Sequence, residues 1–150
     1  MRELTIRLAT SKDVDSLAKL ETLCFSCPWS WESLAQDISI NPLARYFIVE
    51  KDGIAVAYGG MWLISPEGHI TNIAVHPGYR REGIGKALLH HMIEKSEEEG
   101  MTCHTLEVRA SNRAAIVLYC KFGFFECGIR KNYYEDTNED ALIMWRESAD

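Results

Sequence analysis

Apolar and polar residues alternate with period two over residues 4–8, Leu-Thr-Ile-Arg-Leu, the pattern of a strand with one covered face. From Asp13 the period changes. Val14, Leu17, Ala18 and Leu20 recur at helical spacing, which predicts a helix opened by Asp13. A second helix is predicted over residues 31–40, with Ser30 as N-cap and Asn41-Pro42 as its stop. Residues 46–50 and 54–64 read as strands around the turn Lys51-Asp52-Gly53, and residues 69–75 as a third strand after the turn Ser65-Pro66-Glu67-Gly68. Such short connections make the three antiparallel. The stripe Ile84, Ala87, Leu88, Met92 and Ile93 predicts an amphipathic third helix ended by Gly100, with the acidic run Glu97-Glu98-Glu99 on its solvated side. A strand at 105–109, a short helix at 114–122 closed by Gly123, and strands at 124–134 and 141–146 complete the chain. The expected order is β-α-α-β-β-β-α-β-α-β-β, an α/β fold with a mixed sheet.

Composition narrows what such a domain can do. A chain of 150 residues is long enough for one well-buried core, and with no repeat, linker or low-complexity tract it reads as a single domain over residues 1–150. The formal net charge of -6 opposes nucleic-acid binding and fits a cationic acceptor such as a basic peptide. No stretch approaches the roughly eighteen apolar residues that span a bilayer, and no leader pattern precedes the first strand, so the expected setting is cytoplasmic and away from membranes. Five scattered cysteines suit reduced thiols. Cys24 and Cys27 form a C-x-x-C that lacks the second ligand pair a zinc site needs, so no metal is expected.

The candidate chemistry sits between the strand ending at Val75 and the helix starting at Ile84, in His76-Pro77-Gly78-Tyr79-Arg80-Arg81-Glu82-Gly83-Ile84-Gly85-Lys86-Ala87. Glycines let backbone N–H groups approach a ligand, and a helix N-terminus adds unpaired donors and the positive end of its dipole, so this segment suits a pyrophosphate. A nucleotide-triphosphate loop would need glycine where Arg80 stands and a hydroxyl where Ala87 stands; a dinucleotide loop would need a third glycine where Leu88 stands. Both are disfavoured. The pattern [QR]-x-x-G-x-[GA], carried by Arg80, Gly83 and Gly85, resembles the acetyl-CoA signature of the GNAT superfamily.

The flanking segments extend that resemblance along nearly the whole chain. Asn72-Ile73-Ala74-Val75-His76-Pro77, Leu106-Glu107-Val108-Arg109-Ala110-Ser111-Asn112, Leu118-Tyr119, Phe122-Gly123-Phe124, Pro28-Trp29-Ser30 and Asn132-Tyr133-Tyr134 together are similar to the ribosomal-protein-alanine N-acetyltransferase (RimI) branch. The resemblance implies a GNAT fold with a mostly antiparallel central sheet, acetyl-CoA as cosubstrate, and a protein N-terminal peptide as acceptor, in that branch the N-terminal alanine of small-subunit ribosomal protein eighteen. It implies cofactor contacts at Ile73, Ala74, Val75, Arg81, Glu82, Gly83, Ile84, Gly85, Lys86, Asn112 and Tyr119. It also implies Glu107 as general base and Tyr119 as proton donor to the leaving thiolate. Trp29, Tyr133 and Tyr134 are candidates for the acceptor groove.

Physical chemistry bears on each role. An α-amine with a pKa near 7.8 loses its proton more easily than a lysine near 10.4, by roughly 3.5 kcal/mol at neutral pH, so a carboxylate base suffices. Glu107 alternates with Leu106 and Val108 on its strand and can leave the core for a cleft, or instead pair with Arg109. Tyr119 can donate a proton at neutral pH, or its ring can simply fill the core beside Leu118 and Phe122. Asn112 is equally a good N-cap. Tyr133 and Tyr134, adjacent on a strand, should point to opposite faces unless the chain bends, so that one of them reaches the acceptor.

Overall fold

The structure is a computed structural model and describes residues 4–148. Its elements follow as β1 (Leu4–Leu8), α1 (Val14–Cys24), α2 (Trp31–Ile40), β2 (Ala44–Lys51), β3 (Ile54–Ile64), β4 (Glu67–Val75), α3 (Ile84–Glu98), β5 (Cys103–Arg109), α4 (Arg113–Lys121), β6 (Phe125–Tyr134) and β7 (Glu139–Glu147). This is the order that the hydrophobic periodicity predicts. Local chemistry adjusts the ends. Asp13 stands at the N-cap of α1 but makes no side-chain bond to that helix; its carboxylate instead closes a capping box with Thr10 around a short 3-10 turn at Ser11–Asp13 and accepts the Thr10 N–H at 2.7 Å. Ser30 does cap α2, its hydroxyl accepting the Ser33 N–H at 3.1 Å. β4 begins two residues earlier than expected, because Glu67 and Gly68 already pair with Ile64 and Leu63.

All strands join one sheet in the order β1-β2-β3-β4-β5-β7-β6. Every neighbouring pair is antiparallel except β4 and β5, whose parallel pairing requires the crossover supplied by α3. The sheet is buried on both sides, as β2 illustrates: Phe47 and Val49 face a core completed by Leu88, Leu89 and Met92 of α3, while Tyr46 and Ile48 face Leu17 and Leu20 of α1 and Leu34 of α2. A leucine such as Leu17 or Leu88, fully shielded, contributes roughly 2 kcal/mol of apolar burial. The two layers therefore clamp the middle of the sheet and hold the β4–β5 junction between them. The five cysteines are free thiols, and no helix among the described residues is long and apolar enough to cross a membrane.

Candidate active site

The site begins with a sheet that comes apart. β4 and β5 pair only from Glu67 to Ile70 and from Cys103 to Leu106; past that point each continues without the other. The divergence has a local cause on β4. Gly60 faces Asn72 and Met61 faces Ile70, so Thr71 is an extra residue, and such a bulge bends its strand and ends pairing. The gap is a cavity of about 660 Å³, lined by Thr71, Asn72 and Ile73 of β4 and by Thr105 to Arg109 of β5. Asn112 and Tyr119 reach it from the α3–α4 side of the sheet, and Glu21, Cys24 and Trp29 from the α1–α2 side. The cleft thus passes through the sheet from one face to the other.

The two candidate proton-transfer groups both line this passage. Glu107 is exposed on its strand and forms an ion pair with Arg130 of β6. The alternative partner, Arg109, is engaged elsewhere: its guanidinium donates to Asp136 at 2.9 and 3.0 Å and lies 4.0 Å from the centre of the Tyr134 ring. Tyr119 reconciles the two readings of its role. Its ring packs in the core, 5.7 Å from Phe124, and the residue also borders the cleft. Burial pushes its phenol above the ordinary tyrosine value, which keeps the proton on the oxygen at neutral pH. Asn112 is the N-cap of α4, its Oδ1 accepting the Ala115 N–H at 3.2 Å, and it lines the cleft as well.

Tyr133 and Tyr134 correct a strand-based expectation. Both line the cleft, with rings perpendicular and 5.1 Å apart. Asn132 adopts a left-handed φ of 51°, and the β6–β7 register shifts between Arg130 and Tyr134, so the alternation of a regular strand is lost there. Burial pushes the Tyr134 phenol up to about 12.

The phosphate-type cradle lies beyond the end of β4. His76 opens a short 3-10 turn at Pro77–Tyr79, its Nδ1 accepting the Gly78 N–H at 2.9 Å. Arg81 and Gly83 then take left-handed φ values of 66° and 81°, and α3 starts with Gly83 as a cap that has no side chain. The amides of Ile84, Gly85 and Lys86 accordingly have no acceptor within the helix, and Arg80, Arg81 and Lys86 are exposed around them. This set of donors and cations suits a diphosphate. The Glu82 carboxylate is ion-paired with Lys51. Along β4, Ile73 lines the cleft, Ala74 is buried against α1, and the Val75 carbonyl accepts from Arg80 Nε at 3.0 Å and from the Cys24 thiol at 3.3 Å. Among the described residues no cluster of three or more histidine, cysteine or acidic side chains could hold a metal.

Three contributors were not singled out from the sequence. Glu21 is 1% exposed, and its carboxylate accepts from the Trp29 N–H at 2.7 Å, the Tyr58 hydroxyl at 2.5 Å and Asn72 Nδ2 at 3.0 Å. Burial raises its pKa while the three donors oppose that rise. The network ties α1 to β3, to β4 beside the bulge, and to the loop that carries Trp29. A signal was present: Glu21 falls four residues after Leu17, on the apolar stripe of α1. Arg130, by contrast, stands at an exposed strand position that no motif marks, and Trp62 is half-buried on β3, where it reads as one more apolar residue.

The Acetyltransferase (GNAT) family model matches residues 14–124. The [Ribosomal protein bS18]-alanine N-acetyltransferase of Escherichia coli strain K12 is 40% identical over 144 residues, covering 93% of this chain and 95% of that one. The N-alpha-acetyltransferase RimI of Mycobacterium tuberculosis is 31% identical, over 98% of this chain and 94% of its own. A crystal structure of the ribosomal-protein-S18-alanine N-acetyltransferase from Escherichia coli superposes with a TM-score of 0.91 at 36% identity, covering 99% of this chain and 96% of that one.

Proposed function

Because this chain belongs to the acetyltransferase (GNAT) family, we propose that it acetylates the N-terminal alanine of ribosomal protein bS18 by direct transfer from acetyl-CoA, with Glu107 as general base and Tyr119 as general acid. The observation that carries this reading is the parting of β4 and β5, which leaves both residues on the walls of one passage through the sheet. Acetyl-CoA supplies a thioester acyl group, its diphosphate held by the amides of Gly83 to Lys86 and by Arg81, with Asn112 and the backbone of β4 flanking the rest. The acceptor amine enters from the face that carries Trp29, Tyr133 and Tyr134.

Each proton then has a destination. Glu107 receives the proton that the α-ammonium must lose before its nitrogen carries a free lone pair, directly or through one water. A backbone N–H of β4 near Ile73 donates to the carbonyl oxygen as negative charge builds there. When the C–S bond breaks, Tyr119 gives its proton to the departing sulfur, and its phenol is suited to this because burial keeps it protonated. The nitrogen loses its second proton as the tetrahedral intermediate collapses, again to Glu107 once that carboxylate has passed the first proton to solvent, and Tyr119 recovers its own proton from solvent through the cleft.

The reading is tested with purified protein, acetyl-CoA and two peptides carrying the bS18 N-terminal sequence, one with a free alanine amine and one with that amine blocked. Transfer to the free peptide alone, with the acetyl group located on the α-nitrogen, is expected. Transfer to internal lysines of the blocked peptide at a comparable rate would overturn the assignment of the acceptor.

A further inference from the structure

A second cavity, of about 360 Å³, lies beside the cleft and shares two walls with it, Trp29 and Trp62. Asp37 of α2 lines it together with Gln36, Ile40 and Asn41, and it is open to solvent. The Asp37 carboxylate is held by neutral groups: Oδ2 accepts from the Tyr46 hydroxyl at 2.6 Å and from Trp62 Nε1 at 2.8 Å, and Oδ1 accepts from Asn41 Nδ2 at 2.8 Å. Two carboxylate oxygens offer about four acceptor positions, so three neutral donors leave capacity on Oδ1. No Lys, Arg or His among the described residues forms an ion pair with Asp37. A charge fixed by three hydrogen bonds and left without a counter-charge is a preorganised receptor for a cation. Indole walls add to this, since aromatic side chains attract cations as well as apolar stems.

We propose that the cavity between Trp29, Trp62 and Asp37 is a subsite for a cationic side chain, lysine or arginine, carried by the acceptor peptide a few residues behind its amine. The position follows from continuity: Trp29 and Trp62 border both cavities, so a chain whose amine meets Glu107 in the cleft runs on past these two rings. An extended peptide advances about 3.3 to 3.6 Å per residue, so a long flexible side chain from one of the next few positions can turn into the cavity. The net charge of -6 favours the same class of acceptor at long range. Trp29 then has two duties, as a wall of the amine passage and as a wall of the cation subsite. The subsite rests on reading the cleft as a groove for a peptide amine.

The experiment uses the full chain with alanine-starting peptides of neutral sequence, in which arginine or its uncharged isostere citrulline stands at position two, three or four. At one of these positions the arginine peptide should have a KM at least about tenfold below its citrulline twin with similar kcat, the size of one charge-assisted contact. Asp37→Asn, which keeps an acceptor oxygen but removes the charge, should erase that difference. Equal KM values for arginine and citrulline at all three positions in the unmutated protein would overturn the subsite, and that comparison needs no variant to fold. That result would leave the amine acceptor standing, because the peptides would still be acetylated. Failure of every free-terminus peptide to react would overturn both readings together.

Discussion

At the scale of single residues, what matters is how neighbours set the state of each functional group. Tyr119 shows this most plainly. It is shielded from water and packed on Phe124, so its phenol holds its proton and can give it only to something inside the cleft. Tyr119→Phe keeps the packing and removes the proton; kcat should fall by roughly a hundredfold or more with little change in thermal stability, as steady-state kinetics and a melting curve on the same sample would report. An unchanged kcat would leave the residue a core aromatic and nothing else. The sequence made Tyr119, Glu107 and Asn112 visible because each stands inside a motif. Glu21 was marked only by its place on the apolar stripe of α1, and what it does there shows only once the Tyr58, Trp29 and Asn72 donors are seen around it. Arg130 was hidden for another reason. It reaches Glu107 across β7, and which side chains meet across three strands depends on a register that no local pattern encodes.

At the scale of elements, two irregularities in otherwise ordinary strands and helices create the site. The bulge at Thr71 ends the β4–β5 pairing, and the left-handed residues before α3 turn its N-terminal amides outward. Gly83 is the position where this is easiest to test, because a Cβ there would meet nothing within 4 Å while its φ of 81° disfavours any side chain. Gly83→Ala should cost about 1 kcal/mol of stability through backbone strain alone. If these amides hold the diphosphate, the same substitution should weaken acetyl-CoA binding severalfold in a calorimetric titration; normal affinity in the strained variant would separate the turn from the cofactor. Periodicity predicted every strand and α-helix in order, and Ser30 announced its helix. The Thr71 bulge escaped it, since Thr71 and Asn72 read as ordinary polar positions of a half-buried strand and a single extra residue leaves no mark in such a short pattern. The bend at Asn132 escaped too, and with it the convergence of Tyr133 and Tyr134 on one cleft.

At the scale of the whole molecule, the same burial that shields the site makes stability depend on pH. His104 is fully buried, bonded through Nε2 to Ser96 at 2.8 Å and facing Arg146, and desolvation followed by that positive charge lowers its pKa from 6.5 to about 4. Unfolded, the ring takes up a proton near pH 6.5; folded, it resists until about 4, so the unfolded state binds more protons between these values and stability falls as the pH drops through that window. His91, packed edge-on against Phe47 with its pKa also lowered by burial, adds in the same direction. The loss should reach on the order of 2 kcal/mol by pH 4, read from urea midpoints, and His104→Gln should flatten the curve between pH 6.5 and 5; a curve equally steep in the variant would assign the loss to other groups. No pattern along the chain hints at this, because a histidine within a strand looks alike whether it faces water or helix α3. In the proposed function, transfer depends on the passage through the sheet joining a cofactor face to an acceptor face with Glu107 between them. The most direct measurement is therefore the initial rate of α-acetylation of an alanine-starting peptide by the unmutated protein and by Glu107→Gln under saturating acetyl-CoA. The expected result is a loss of about a hundredfold or more in kcat for the variant with acetyl-CoA affinity retained; equal turnover by the two proteins would contradict the role given to Glu107 and to the cleft built around it.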